Sequence, residues 1–590
     1  MTTNQDWQTD PEQMRLFAER LRGLRLPRRD LLRIVAAAGG AAMLAACGGG
    51  AAPSGGGSGA STNSASGGKP AAADLAKDQT YTTTRIVTDP SSWDYNKNLY
   101  NGSNASVWAW LLQYDPDFNV VPDIAEKYDV SADGTVYTFH LRDSKWSNGE
   151  PVTAADFEYS YKRQLDPATG AAYAGFLYDI KNGQAFNQKK ITDAGQVGVK
   201  ALDPKTVQIT LEGPRGFFPA LMAFFSAAPS YRPAVEKFGD KWTEAANIVC
   251  NGPFKLTKWE HSQQAVLEKN PGYWNAGNIT LTKVVLPIIP YEQMQAAYEN
   301  NEVDNINQVQ VGNLKRIQAD PKMSKELFKY PSVGTWYVVP SVTIPPFDNL
   351  NARLAVAHAI DRDKIVNSVI QGTGEVTYTF NPKGTPFFNP NTYDQYTKYD
   401  PKMAMDLLKG TPYEGGKNWP KITLTNINAG DAPNAAADAI IQMLKDNLGM
   451  TIDHETGDRQ PINQKMYNGQ VQLMWISWLL DYPDANDTNF LVFYGKTATG
   501  HRQTWKDDQY DALVTKAAGE LDPQKRIQMY QQADEMIAKQ GVATFVYNSY
   551  YWDLRKPWVV GLPKNKAGQP VPYGNMFLRE FDRLSILKHD

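Results

Sequence analysis

Residues 471–484 read VQLMWISWLLDYPD, with Leu473, Met474, Ile476, Leu479 and Leu480 set among Trp475 and Trp478 and no charge before Asp481. A short, nearly unbroken apolar run rich in aromatic residues predicts a strand buried on both faces. Pro483 cannot donate to a ladder, so the strand is expected to stop near Asp481. The Asp481 carboxylate then stands at the mouth of an aromatic, poorly hydrated place, where it needs a cation or several donors. An internal Lys, Arg or backbone N–H would satisfy it. So would the ammonium group of a bound ligand.

The same patterning sorts the rest of the chain into alternating strands and helices. YTTTRIV (81–87) predicts a strand, residues 91–104 a polar and aromatic loop, and ASVWAWLLQY (105–114) an apolar helix. TVYTFHL (135–141) alternates as a strand after the turn 131–134, and KWSNG (145–149) is a second turn. Thr153 is a candidate N-cap for a helix through residues 154–162. Residues 207–211 and 266–269 alternate as strands, with turns at Gly252-Pro253 and Pro271-Gly272. Residues 352–360 form a helix with an Ala-rich face, followed by a second helix capped at 361–363. Residues 422–427, the amphipathic 435–448 and 451–452 predict a strand–helix–strand unit. Units of that kind place ligand sites at strand carboxyl ends, and Asp481 sits at such an end.

The first residues follow other rules. Arg28 and Arg29 precede an uncharged run, 34–46, that ends Leu44-Ala45-Ala46-Cys47-Gly48. A basic region, a short apolar core and small residues before a cleavage point make residues 1–46 a signal peptide; the run is too short to span a bilayer. RRDLLR resembles a twin-arginine export signal and LAAC a lipoprotein box, which implies a lipidated Cys47 and a protein anchored to the cell membrane on its extracytoplasmic face. The other reading is an ordinary secretory signal with an incidental Cys47. Residues 47–75 are Gly-, Ala- and Ser-rich, a flexible tether with a reach of about 25–30 Å.

Composition then narrows the function. The net charge of −3 becomes more acidic without residues 1–46, which carry seven Arg against five acidic residues, and no basic block stands out. Nucleic acid is not an expected partner. Cys250 is the only cysteine besides Cys47, so no intrachain disulfide forms once Cys47 is acylated; Cys250 reads as a small buried residue. The folded part is too long for one core and predicts two or more lobes. The six His are scattered, no metal-ligand spacing or G-x-S-x-G elbow is present, and no cofactor is expected. Asp481, Asp484, Asn486 and Asp487 lack the Gly and Glu of an EF-hand and read as solvated turn carboxylates. A secreted hydrolase is left without a catalytic constellation in the sequence, although paired carboxylates brought together by folding would not show in it.

SADGTVYTFHLRDSKWSNGEPVTAADFEYSYKRQLDP (131–167) resembles the signature of the family 5 extracellular solute-binding proteins, the receptors of ABC importers. The likeness continues in order through VKALDPKTVQITLEGP (199–214), EKFGDKWTEAANIVCNGPFKLTKWE (236–260), VLEKNPGYW (266–274), FDNLNARLAVAHAIDRDKIV (347–366) and FVYNSYYWDLRKPWVVG (545–561). It is nearest to the oligopeptide-binding branch. It implies a two-lobed periplasmic-binding-protein-like α/β fold with a hinge. Residues 76–108, 200–333 and 557–590 form lobe I, 109–199 a small inserted domain, and 334–556 lobe II. It also implies a monomeric receptor that passes peptides to an ABC permease.

The resemblance assigns residues too. The W-x-x-D segment Trp478-Leu479-Leu480-Asp481 matches the one whose carboxylate holds a peptide's α-amino group. Ser477 and Leu479 would offer backbone groups, and Asn98, Leu99 and Tyr100 fall on the opposing segment. Trp475 stands where that branch carries a basic residue able to meet a peptide carboxylate. The departure leaves open a longer peptide, another cation, or a non-peptide ligand; relatives that bind cello-oligosaccharides on aromatic platforms make the sugar alternative.

Overall fold

β1 (Thr80–Thr82) opens a four-stranded sheet that the chain completes much later. The computed structural model describes residues 71–98, 101–495, 504–569, 571, 579 and 581–589. The expected signal peptide (1–46), Cys47 and nearly all of the expected tether (47–75) lie outside them. The strand expected over 81–87 is therefore present but short.

Residues 105–114 are not a helix. A single 3₁₀ turn, Ala105–Val107, leads to β2 (Leu112–Tyr114), which pairs with β3 (Val120–Pro122). Trp108, Ala109, Trp110 and Leu111 are all buried. The segment is apolar on every side, so its backbone is satisfied by neighbours rather than by its own turns. Asn251 brackets Ala109, accepting from its N–H at 3.0 Å and donating to its carbonyl at 2.8 Å. The backbone of residue 252 comes so close that a Cβ there would lie 2.4 Å from Trp108 N, which requires Gly252.

A second sheet, wholly antiparallel, follows. β4 (Ala125–Val130) and β5 (Val136–Leu141) flank the expected 131–134 turn, in which Gly134 has φ +70°. α1 (Ala154–Leu165) starts at Thr153, whose N–H donates to the Asp156 carboxylate at 2.7 Å, a capping box. β6 (Val199–Asp203) and β7 (Thr206–Thr210) complete the order β4-β5-β7-β6. The chain then returns to the first sheet with β8 (Phe254–Glu260), β9 (Gln264–Lys269) and β10 (Lys283–Pro287), giving β1-β10-β9-β8.

The largest sheet uses β11 (Asn305–Ile306), β12 (Leu327–Pro340), β13 (Gly374–Val376), β14 (Ile422–Ile427), β15 (Ile452–Gly457), β16 (Leu473–Leu479) and β17 (Thr544–Arg555), in the order β11-β17-β12-β16-β14-β15 with β13 on β17. Its helices include α2 (Leu350–Ala359), α3 (Asp431–Leu448), α4 (Asp508–Gly519) and α5 (Pro523–Lys539). β14, α3 and β15 form the expected parallel unit, Ile422 opposite Ile452. Alternate residues of β16 enter different cores. Leu473 and Trp475 join Val356, Ile440 and Leu444 on one face, while Met474 and Ile476 join Tyr510, Tyr530 and Ile537 on the other. Each such aliphatic side chain contributes about 1.5–3 kcal/mol by burial, which is why the run tolerates no polar residue there.

The two long strands β12 and β17 run beside each other with a break. Pro331 faces Tyr550, but Thr335 faces Asn548, so residues 332–334 bulge out of the ladder. Bulges bend a strand and raise its local twist.

Candidate functional site

The site is built on an edge that β16 exposes. Ser341 N–H donates to Gln472 O at 2.8 Å, and Leu480 N–H donates to Val333 O at 3.1 Å. Even-numbered residues of β16 therefore aim their backbone groups at the β12 side, and Trp475, Ser477 and Leu479 aim theirs at the β14 side. β12 stays paired along β16 up to Leu479, but β14 pairs only as far as Trp475, opposite Asn426. From Ser477 to Leu479 the strand presents an edge of ladder groups that β14 does not cover. Ser477 and Trp478 are half-buried and Leu479 is 40% exposed.

Asp481 follows, two residues past the strand end and half-buried. Its backbone N–H donates to Asp487 Oδ2 at 3.1 Å, and the same oxygen accepts from Trp478 Nε1 at 2.8 Å. Burial, with the negative charge of Asp481 next, holds the Asp487 carboxyl well above the usual carboxylate range. Tyr482 is buried, stacked with Phe217 and edge-on to Phe176.

Two expectations need correction. The carboxylates after Asp481 are not solvated turn groups: Asp484 is 4% exposed and Asp487 fully buried. Asp484 survives burial because Arg526 Nη2 lies 2.7 Å from its Oδ1, both side chains only 5% exposed. Trp475 is not ligand-facing; it has no exposed surface, stacks on Trp336 at 5.1 Å and donates Nε1–H to Pro433 O at 3.0 Å. Its side chain belongs to the core beneath the sheet, and the half-buried Trp336, opposite Ser477, lies nearer the surface.

Of the opposing segment, Asn98 is half-buried, with its N–H on Asp94 O at 3.1 Å and its carbonyl accepting from Asn101 Nδ2 at 2.9 Å. Leu99 and Tyr100 lie outside the described residues. Cys250 is buried, and burial pushes its thiol up to about 12, so it is neither a nucleophile nor a ready metal ligand. Asp487 entered the sequence reading only as a solvated turn carboxylate, not as a buried member of the site. The signal was the three-residue spacing of Asp481, Asp484 and Asp487 directly after an aromatic strand. Among the described residues no cluster of three or more His, Cys, Asp or Glu could hold a metal ion, and no helix is long and apolar enough to cross a membrane.

A profile of the bacterial extracellular solute-binding proteins, family 5 Middle, matches residues 119–500. The oligopeptide-binding protein OppA of Bacillus subtilis is 30% identical over 81% of this chain and 89% of its own length. The periplasmic oligopeptide-binding protein OppA of Salmonella typhimurium is 31% identical over 81% and 87%. Among solved structures, the murein tripeptide binding protein MppA of Escherichia coli superposes with a TM-score of 0.67 at 26% identity, covering 87% of this chain and all of that one. The fold is the two-lobed α/β fold of these periplasmic binding proteins.

Proposed function

We propose, for a chain that belongs to the family 5 bacterial extracellular solute-binding proteins, that it captures peptides and delivers them to an ABC permease. The observation that carries this reading is the open edge of β16 at Ser477 and Leu479, with Asp481 at its end. An extended peptide can add to such an edge through main-chain hydrogen bonds, while its α-amino group meets the carboxylate beyond the last strand residue. A carbohydrate has no ladder of alternating donors and acceptors to match that edge.

The proposed ligand contacts are the backbone of Ser477 and Leu479, the Trp478 ring and the Asp481 carboxylate, with the segment from Asn98 through Leu99 and Tyr100 opposite. Residues 76–108, 200–333 and 557–590 would move as lobe I with 109–199 appended, and 334–556 as lobe II. The bulge at 332–334 lies at that boundary, where a hinge would absorb backbone rotation. A lipid on Cys47 and the 47–75 tether would hold this monomeric receptor at the membrane. The reading is of a receptor, not an enzyme.

The sugar alternative draws less support from the Trp content, because Trp93, Trp108, Trp110, Trp146 and Trp475 lie inside cores, and among the described residues only Trp336 and Trp478 stand half-buried beside the open edge. Calorimetric titration and thermal melts with defined peptides, cello-oligosaccharides and Ni²⁺ test the reading. Peptides alone should bind and raise Tm by mass action; a sugar-only response, or a hydrolytic product, would overturn it.

A further inference from the structure

The acidic turn after β16 contains a group to which the peptide reading gives no task. Asp487 is fully buried, yet its carboxyl touches two parts of the proposed site at once. Oδ2 accepts from the Trp478 indole at 2.8 Å and from the Asp481 backbone N–H at 3.1 Å. Oδ1 is buried as well and has no hydrogen-bond partner among the described residues.

An ionised carboxylate with one oxygen left dry is costly, and the two donors on Oδ2 offset only part of that cost. Asp481 and Asp484 in the same turn add negative charge. The guanidinium packed here from α5, Arg526, is engaged with Asp484 at 2.7 Å. Tyr482 in the turn, Tyr530 on α5 and Tyr114 on β2 are buried phenols whose hydroxyls are raised above 10, so they are neutral. Asp487 thus acts through its two accepted hydrogen bonds, as a brace between the Trp478 indole and the Asp481 backbone.

We propose that Asp487 is the positioning residue for amino-terminus selection: its buried carboxyl ties the Trp478 indole to the Asp481 backbone and so fixes the Asp481 carboxylate at the end of the open β16 edge. This rests on the peptide reading of that edge. Without the brace, residues 480–482 gain freedom, and a ligand whose ammonium engages the Asp481 carboxylate must restore that order on binding.

The test uses the full chain, tri-alanine and N-acetyl-tri-alanine, read by titration calorimetry as the ratio of the two affinities. Wild type should prefer the free amine by about a hundredfold or more. Asp487→Ala should cut that ratio by about tenfold, the scale of deleting buried hydrogen bonds, with little change in affinity for the acetylated peptide. Asp487→Asn keeps an acceptor for both donors and should rescue the ratio to within about threefold of wild type. An unchanged ratio in Asp487→Ala overturns the inference, as does an Asp487→Asn as defective as the alanine variant, since the group would then act through charge. Should Asp487→Ala not fold, the pH profile decides: wild type and Asp487→Asn should keep parallel ratios from about pH 5.5 to 8.5, and a wild-type change missing from Asp487→Asn overturns it. If wild type itself fails to discriminate the two peptides, the parent reading has failed and this inference with it.

Discussion

Tyr482 stacks on Phe217 with ring centroids 6.2 Å apart and planes 21° from parallel. The two residues come from distant parts of the chain, and the contact brings the turn that bears Asp481 against the strand-to-helix connection near residue 216. Gly216 N–H donates to Ala518 O at 3.0 Å beside it, and a Cβ on Gly216 would lie 2.0 Å from Glu520 O. Gly216→Ala therefore pries residues 214–218 off 518–520 and takes Phe217 from Tyr482. Affinity for every ligand should fall by a similar factor, on the order of tenfold, while the free-to-acetylated preference stays as in wild type. Calorimetry on both peptide forms checks it; a collapse of the preference would mean that the contact shapes the amine site itself.

Asp484 and Arg526 form an ion pair from which water is nearly excluded. Removing one partner leaves the other charge buried without compensation, a cost of roughly 3–5 kcal/mol. Asp484→Ala should therefore lower unfolding free energy by about that amount in urea denaturation. Replacing both residues by apolar ones of similar volume should restore much of it. If the single and double variants are equally unstable, packing and not the stranded guanidinium sets the cost.

How far the sequence reaches depends on where the deciding partner lies. β16 was legible because Leu473, Met474, Trp475 and Ile476 fill two apolar faces in succession, and Thr153 with Asp156 because a capping box is complete within four residues. The β14–α3–β15 unit was legible from its periodicities. Residues 105–114 were not, since an all-round apolar run fits a buried helix or a threaded extended segment equally; the choice is made by Asn251, 142 residues away. The acidic turn was misread for the same reason. Its solvation is decided by Arg526, 42 residues on, and by the indole of Trp478 folding back over Asp487. The open edge of β16 was not readable without strand pairing, because only the register shows that β14 stops at Trp475.

Asp534 on α5 is fully buried, accepting from Asn489 and Asn389 at 2.8 and 2.9 Å. Burial pushes its carboxyl up from 3.8 to about 6. With the folded value above the unfolded one, the unfolded chain loses this proton first as pH rises. The stability it contributes is present in full below 3.8, declines between 3.8 and about 6, and is gone above that window. Thermal melts of wild type and Asp534→Asn across pH 3.5–7 should diverge as the pH falls, wild type gaining relative to the variant. A constant difference would show that Asp534 does not titrate in that window.

Asp481→Asn keeps the shape of the side chain and removes its charge. The Asp481 backbone N–H still reaches Asp487 Oδ2, and the β12–β16 ladder does not involve the carboxylate, so both contacts should persist in the variant. A ligand ammonium enclosed with Asp481 would be a buried pair, and losing one charge of such a pair costs roughly 3–5 kcal/mol, or about two to three orders of magnitude in affinity. Acetylating the peptide amine should weaken binding to wild type by a similar factor, yet matter little to Asp481→Asn. That non-additivity marks a direct pair, because two independent losses would multiply. A fourfold set of titrations, two proteins against two peptides, measures it. If the two losses multiply, the ammonium is held elsewhere and Asp481 serves the turn alone.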